Sequence, residues 1–233
     1  MRRVAPVLAL ILLTALSACA SSESKDAGHT TLTVLLDRDV TAAQKSAVEQ
    51  RLRAMPSVEG VAFETREQAY EKLRKDSPDL VADLDPENMP ESLHATVTDV
   101  SVAEAVDLVM GTVDGVEWVG LRIADADPLP SRIGAIVRLE PTATEKQRAA
   151  VEEAVRALPR AESVEFEERD AAYERLRRQC QGKGNLATQL DSQVARASLR
   201  LQLPLNGKGG TGLPEIERLD GVEAMRLVPV AML

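Results

Sequence analysis

The chain contains an internal repeat, and this feature restricts its fold more than any other. Shifting the 233-residue sequence by 103 residues aligns positions 41–74 with 144–177 without a gap, and 18 of the 34 aligned pairs are identical. Phe63 and Tyr70 match Phe166 and Tyr173, so four of the five aromatic residues lie in the repeated part. The sequence therefore predicts two copies of one domain.

The repeat also sets the expected domain boundaries. After an insertion of three residues near 180–184 the shift becomes 106, which pairs the motif Asp-Gly-Val-Glu at 114–117 with 220–223. We place the first repeat at residues 31–124 and the second repeat at residues 133–230. Residues 125–132, which include two prolines, are expected to form a short, stiff linker.

The order of hydrophobic patterns within each repeat predicts an α+β fold. Each copy shows strand, helix, strand, then an acidic segment, then strand, helix, strand. This order is that of a ferredoxin-like, split βαβ domain, with a small helical lobe at about residues 66–91 inserted between its halves. In the second repeat the glycine-rich segment Gly207–Gly212 replaces the start of the last helix, so only Pro214–Leu219 is expected to be helical there.

The N-terminus reads as a targeting segment. Arg2 and Arg3 precede an apolar stretch, and Leu16-Ser17-Ala18-Cys19 resembles a bacterial lipobox. We expect residues 1–18 to be a lipoprotein signal peptide, Cys19 to be acylated with chains such as palmitate, and residues 19–30 to be a flexible tether. The alternative is an ordinary secretory signal cut near Ala18 or Ala20, with Cys19 incidental.

Charge and composition exclude some partners. The chain has 28 Lys and Arg against 37 Asp and Glu, a formal net charge of −9, so nucleic acid is not an expected partner. An acidic protein is also repelled by anionic lipid, so the acyl anchor rather than a basic patch is expected to hold it on the extracytoplasmic face of the cell membrane.

Catalytic and metal motifs are weak. His29 and His94 have no Cys or His neighbour at zinc spacing, and Cys180 has no histidine in its own repeat to act as a base, so it is expected to be a surface or half-buried thiol. We therefore expect no enzymatic activity and no cofactor. A calcium site at Asp83, Asp85 and Glu87 is a weak possibility, because the spacing lacks the glycine and closing glutamate of an EF-hand.

Several segments of the first repeat resemble a known family. These are Thr41-Ala42-Ala43-Gln44-Lys45, Met55-Pro56-Ser57-Val58, Thr65-Arg66-Glu67-Gln68-Ala69-Tyr70, Asp79-Leu80-Val81, Met89-Pro90-Glu91-Ser92-Leu93 and Val113-Asp114-Gly115-Val116. In this order they resemble the extracellular domain of the bacterial cell-division permease FtsX. The resemblance spans the first repeat nearly end to end and the first half of the second.

The resemblance implies a binding role outside the membrane. In that family the domain binds cell-wall hydrolases or their activators, while transmembrane helices couple it to a cytoplasmic ATPase. This chain differs in having two such domains and an expected lipid anchor in place of membrane-spanning helices, so coupling to an ATPase through its own chain is not expected. Arg196 also stands where the first repeat has Pro90, which alters the corresponding surface of the second repeat.

Apolar residues of the lobe and its neighbourhood are the candidate binding surface. One interpretation is that they pack onto the sheet and Tyr70; the other, which the resemblance favours, is an apolar groove that receives a partner helix. The candidate residues are Tyr70, Leu73, Leu80, Val81, Leu84, Met89 and Leu93.

The leading hypothesis is thus a lipid-anchored protein-binding module that recruits or regulates a peptidoglycan hydrolase or the division machinery. The alternatives are a small-molecule binding lipoprotein that serves a transporter and, more remotely, an enzyme. Ligand-induced thermal stabilisation would favour the first alternative, and activity of the purified protein on the cell wall would favour the second.

Overall fold

The computed structural model describes residues 30–80, 84–123, 130–205 and 212–233. The expected signal peptide, Cys19 and nearly all of the expected tether lie outside these residues. Thr30 and Arg132, which the sequence assigned to tether and linker, are instead the first residues of strands. Within the described residues no helix has the length and apolar character needed to cross a bilayer.

The first repeat forms a four-stranded antiparallel sheet with two of its helices packed on the core side. A lobe consisting of helix α2 (Arg66–Asp76) and two short 3₁₀ helices, Pro78–Leu80 and Pro86–Asn88, is inserted between its second and third strands. The elements are β1 (Thr30–Leu36), α1 (Ala42–Arg53), β2 (Val58–Glu64), α2 (Arg66–Asp76), β3 (Ser92–Val97), α3 (Val100–Met110) and β4 (Val116–Ile123).

The second repeat has the same order with a shorter final helix and a C-terminal 3₁₀ helix at Val230–Met232. Its elements are β5 (Arg132–Leu139), α4 (Glu145–Arg156), β6 (Glu162–Glu167), α5 (Arg169–Gln179), α6 (Leu186–Gln189), β7 (Ser198–Pro204), α7 (Leu213–Glu217) and β8 (Val222–Val228).

The two sheets are built in the same way. Their strand orders are β2-β3-β1-β4 and β6-β7-β5-β8, so the chain is two tandem ferredoxin-like domains, as the sequence predicts. The ladders break at equivalent points, between Leu35 and Leu36 in the first sheet and between Arg138 and Leu139 in the second. The equivalent positions of the two sheets are thus related by the repeat shift of 103 residues.

The first helix of each repeat begins with the same cap. The Thr41 hydroxyl accepts a hydrogen bond from the Gln44 backbone, and the Gln44 side chain accepts one from the Thr41 backbone N–H. Thr144 and Gln147 repeat this arrangement at the start of α4. Such capping boxes fix where each helix begins.

Strand alternation separates each sheet into a core face and an open face. In the first sheet Leu32, Val34 and Leu93 point into the core under α1 and α3. The alternate residues, such as Thr33, which is paired with His94, point to the opposite face, beside the lobe. We call this second side the open face.

The helix α3 connects the two repeats. Every residue from Val102 to Met110 is buried, although one helix face is enough to cover its own sheet. Repeat-2 residues such as Ile136, Leu176 and Met232 belong to the same hydrophobic cluster as the first repeat's core, whereas the second repeat's own core is a separate cluster. α3 therefore packs against its own sheet on one side and against the second repeat on the other.

Candidate functional site

The first repeat has a groove between the open face of its sheet and helix α2. Its volume is about 420 Å³, and it opens to solvent along its length. Its apolar lining is formed by Leu35, Ala69, Leu73, Met89, Pro90 and Trp118. We call this space groove 1.

One side of groove 1 carries a charged cluster. The Glu64 carboxylate accepts a hydrogen bond from His94 Nε2 at 3.1 Å and lies 3.6 Å from Lys72 Nζ. Burial raises the pKa of Glu64, but the hydrogen bond from His94 and the charges of His94 and Lys72 outweigh it and hold this pKa below its ordinary value. Thr33 Oγ1 lies 3.2 Å from His94 Nδ1 and fixes the ring from its other side. The cluster therefore keeps one carboxylate ionised between two basic groups.

Trp118 forms part of the floor of groove 1. Its ring covers Gly120 so closely that a Cβ there would lie 1.9 Å from an indole carbon, which means that only glycine fits beneath it. The Arg226 guanidinium lies 5.1 Å from the ring centroid. Trp118 is nevertheless 44% exposed, which is unusual for tryptophan. An exposed, held aromatic ring is typical of a binding surface.

The corresponding groove of the second repeat, between the open face of its sheet and α5, is filled by α3 of the first repeat and by the C-terminal 3₁₀ helix, whose Met232 carbonyl accepts a hydrogen bond from Arg200. We call it groove 2. The Glu104 carboxylate enters it and contacts Arg175 Nη1 at 3.0 Å and Arg200 Nη1 at 3.1 Å. Glu167 completes the cluster, 2.8 Å from Arg175 Nε. Burial raises the pKa of Glu104, but the charges of Arg200 and Arg175 outweigh it, so its pKa lies below the ordinary value.

Asp107, one helical turn after Glu104, contacts the other side of groove 2. Its carboxylate pairs with Arg138 on β5 and lies 3.5 Å from Arg226 Nε on β8. Arg226 also donates to the Val119 carbonyl of β4, so it links the two neighbouring edge strands. Asp107, Arg138 and Arg226 are each at most 7% exposed. The interface between the repeats is therefore both apolar and charged, with each buried carboxylate matched by arginines.

The structure brings together only part of the binding surface predicted from sequence. Leu73 and Met89 line groove 1. Tyr70 is partly buried on α2 but is not among the groove residues, and Leu84 is 41% exposed beyond the groove. The side chain of Leu80 and all of Val81 lie outside the described residues.

The assignment of Leu93 to the binding surface is wrong. Leu93 is 1% exposed and packs in the core of the first repeat. Its neighbours Ser92 and His94 point into groove 1 instead, because successive residues of a strand face opposite sides of the sheet.

The weaker predictions are also placed by the structure. Asp83 lies outside the described residues; Asp85 accepts a hydrogen bond from the Glu87 backbone and caps the 3₁₀ helix there. Among the described residues no group of three or more His, Cys, Asp or Glu is arranged to hold a metal ion. Cys180, expected at the surface or half-buried, is fully buried at the end of α5, and burial raises its pKa to about 11.

Sequence reasoning missed the polar half of the site. The binding surface predicted from the sequence includes neither His94, which lacks a neighbour at zinc spacing, nor Lys72 and Trp118. Alternation along β4 places Trp118 on the same face as Arg122, which is the signal that identifies it. For Glu104 and Asp107 the signal was two acids, three residues apart, in an otherwise apolar helix.

Two tandem ferredoxin-like domains, each with a lobe beside the open face of its sheet, define a class of paired split βαβ domains. The family model of the FtsX extracellular domain matches this chain twice, over residues 29–129 and 132–227. The chain therefore belongs to the FtsX extracellular domain family, with two copies in tandem. No curated protein matches it.

Proposed function

We propose that this chain is a lipid-anchored, extracytoplasmic protein-binding module that recruits or regulates a peptidoglycan hydrolase or a component of the division machinery. Membership of the FtsX extracellular domain family supports a position outside the cytoplasm. The lipobox at Leu16–Cys19 supports attachment by a lipid, with the domains held at the membrane surface. The proposal includes no catalytic activity of the chain itself.

The observation that carries the proposal is the difference between the two grooves. Groove 2 is filled by α3, whose buried acids meet arginines of the second repeat. Groove 1 is open, and its lining includes Leu73, Met89 and a tryptophan that is 44% exposed. An apolar groove that is open to solvent and flanked by charged side chains fits a helix of another protein, whereas small-molecule sites enclose most of their ligand.

The test is capture of envelope proteins by the anchored protein in its native membrane, with and without Leu73→Asp. A charged side chain in the apolar groove is expected to abolish capture of a hydrolase or division protein, because its burial is costly. Leu227→Asp is the matched control, since Leu227 is 39% exposed on the edge strand of the second sheet and lies outside groove 1.

Met89→Gln is a second variant, in case Leu73→Asp unfolds the protein. Thermal unfolding of each variant separates loss of fold from loss of binding. Capture of the same envelope protein by wild type and by both folded groove variants would contradict the proposal, as would the absence of any hydrolase or division protein from the wild-type capture.

A further inference from the structure

The repeat equivalence makes groove 2 a template for the occupant of groove 1. Under the shifts of 103 and 106 residues, Glu64, Lys72 and His94 correspond to Glu167, Arg175 and Arg200. The ladder pairings agree, because His94 pairs with Thr33 and Arg200 pairs with Ile136, the counterpart of Thr33. Both grooves thus present one carboxylate and two basic side chains in the same arrangement.

In groove 2 this cluster binds one further carboxylate. Glu104 joins Glu167 on the two arginines, with N–O distances of 3.0 and 3.1 Å. In groove 1 the Lys72 side chain is 65% exposed and the His94 side chain 32% exposed. The two basic groups of groove 1 are therefore accessible where their counterparts in groove 2 hold a glutamate.

The position one helical turn after Glu104 meets different side chains in the two grooves. Asp107 meets Arg138 and Arg226 in groove 2. Their counterparts in groove 1 are Leu35 and Gly120, and the ring of Trp118 lies over Gly120. In a helix bound to groove 1, an acidic residue at the position of Asp107 would have no arginine to pair with. An apolar residue there would bury its surface against Leu35 and Trp118.

Neither the template helix α3 nor its counterpart in the second repeat is available to groove 1 of another copy of this chain. In a second copy of this chain, α3 is buried between the repeats. Its counterpart in the second repeat, α7 (Leu213–Glu217), has its apolar residues Leu213 and Ile216 buried in the core of that repeat. Within the described residues, neither the template helix nor its counterpart can therefore be exchanged between two copies of the chain.

We propose that groove 1 binds an amphipathic helix of a partner protein that places a carboxylate against Lys72 and His94 and, three residues later, an apolar side chain against Leu35 and Trp118. This inference rests on the proposed function and specifies its partner. The spacing follows from α3 itself, since residues three apart share a helix face. Groove 2, filled within the chain, takes no partner.

The probe for this proposal is a stapled helical peptide that copies the groove-facing positions of α3. It carries the glutamate of position 104, the change Asp107→Leu and the leucine of position 108, with glutamine and lysine at the outward positions. Trp118 is the only tryptophan of the chain, so its fluorescence reports binding to groove 1 in the full-length protein. Saturable binding with a blue shift of the emission is expected as the peptide covers the exposed ring.

Charge reversal provides the specific readout. Lys72→Glu is expected to weaken binding of the peptide about tenfold or more, and a peptide with Glu104→Lys is expected to bind the Lys72→Glu protein better than the wild type. Lys75→Glu is the matched control, because Lys75 is exposed on the same helix and lies outside the groove. Equal affinity of the glutamate and lysine peptides for the wild-type protein, or no binding at all, would overturn the proposal.

Failure of this inference and failure of the proposed function give different results. If an envelope protein is captured in a manner that depends on Leu73 but not on Lys72, the function stands and the carboxylate requirement falls. If the peptide binds with the expected charge dependence and no envelope protein is captured, the carboxylate requirement stands and the proposed function falls. Concentration-dependent dimerisation that Lys72→Glu abolishes would overturn the assignment to a different protein.

Discussion

Glu104 is the residue on which the contact between the repeats depends most. Its carboxylate is 5% exposed and is shared by Arg175 and Arg200. Removing one partner of a buried ion pair leaves the other charge without compensation, which costs about 3–5 kcal/mol.

We therefore expect Glu104→Gln to lower the free energy of unfolding by about 3 kcal/mol, measured by chemical denaturation. The control is Glu49→Gln, which removes an exposed pair with Arg53 at 2.7 Å and is expected to change stability by less than about 1 kcal/mol. Similar losses for the two variants would contradict the role given to Glu104.

A second residue pair gives the interface a pH dependence. Lys183 Nζ donates to Asp99 Oδ2 at 2.7 Å and joins the second repeat to the start of α3. This hydrogen bond, with a further one from Ser101, lowers the pKa of Asp99, and the same bond raises the pKa of Lys183.

The sign follows from these shifts. A lowered carboxylate pKa stabilises the fold above the unfolded value of about 4, and this contribution is lost as the pH falls through the folded pKa. For Lys183 the contribution is present below about pH 10.4 and is lost as the pH rises through its folded pKa. A double-mutant cycle with Asp99→Asn and Lys183→Gln should give a coupling energy that is constant near neutral pH and shrinks below about pH 4. A coupling that is zero at pH 7 would contradict it.

At the scale of single residues, the sequence predicts which strand positions are apolar but not which of them bind. Leu93 and His94 lie next to each other on β3; the leucine was assigned to the site, and the histidine is the one that faces groove 1. Hydrophobicity identifies the buried face of a sheet, and a binding residue on the open face is recognised only once the sheet's direction is known.

At the scale of elements, α3 packs against both repeats. Val102 and Val106 cover the first sheet, and Glu104 and Asp107 fill groove 2. Its counterpart α7 packs into the core of the second repeat through its buried residues Leu213 and Ile216. The shorter helix is sufficient there because it covers one sheet only.

The burial of Cys180 is a consequence of this packing. The residue ends α5 and belongs to the cluster that contains the core of the first repeat and α6. Burial raises its pKa to about 11, so at neutral pH little thiolate is present to react.

In a Cys19→Ser variant Cys180 is the only thiol, and we expect it to react with a disulfide reagent on the order of 100-fold more slowly in the native protein than in denaturant. Introducing Glu104→Gln is expected to raise the native rate, because the interface opens more often. Native and denatured rates that agree within a factor of two would exclude a closed interface.

Element boundaries were largely predictable from the sequence, because periodicity and capping are local signals. The largely apolar run 116–123 forms β4, and the threonines Thr41 and Thr144, which precede the helical patterns, are the N-caps of α1 and α4. The packing of α3 against the second repeat was not predictable. Two acids in an apolar helix indicate a buried charged contact, but nothing local identifies arginines about 30 to 120 positions further along as the partners.

At the scale of the whole molecule, the duplication has produced two domains with different roles. The second repeat holds α3 in its groove and thereby fixes the first repeat, whose own groove stays open. The family membership and the order of strands, evident in the repeated sequence, do not reveal this difference. It follows from substitutions such as Leu35 against Arg138, whose meaning depends on what occupies each groove.

Site-specific photocrosslinking in cells determines whether groove 1 receives a helix of another envelope protein. A benzophenone amino acid is placed at Leu73, inside the groove, or at Lys75, exposed on the same helix outside it. We expect a discrete adduct from position 73 only, and we expect the crosslinked segment of the partner, mapped by mass spectrometry, to be an amphipathic helix that carries an acidic residue. The same adducts from both positions, or no adduct from position 73 in a folded protein at the membrane, would contradict it.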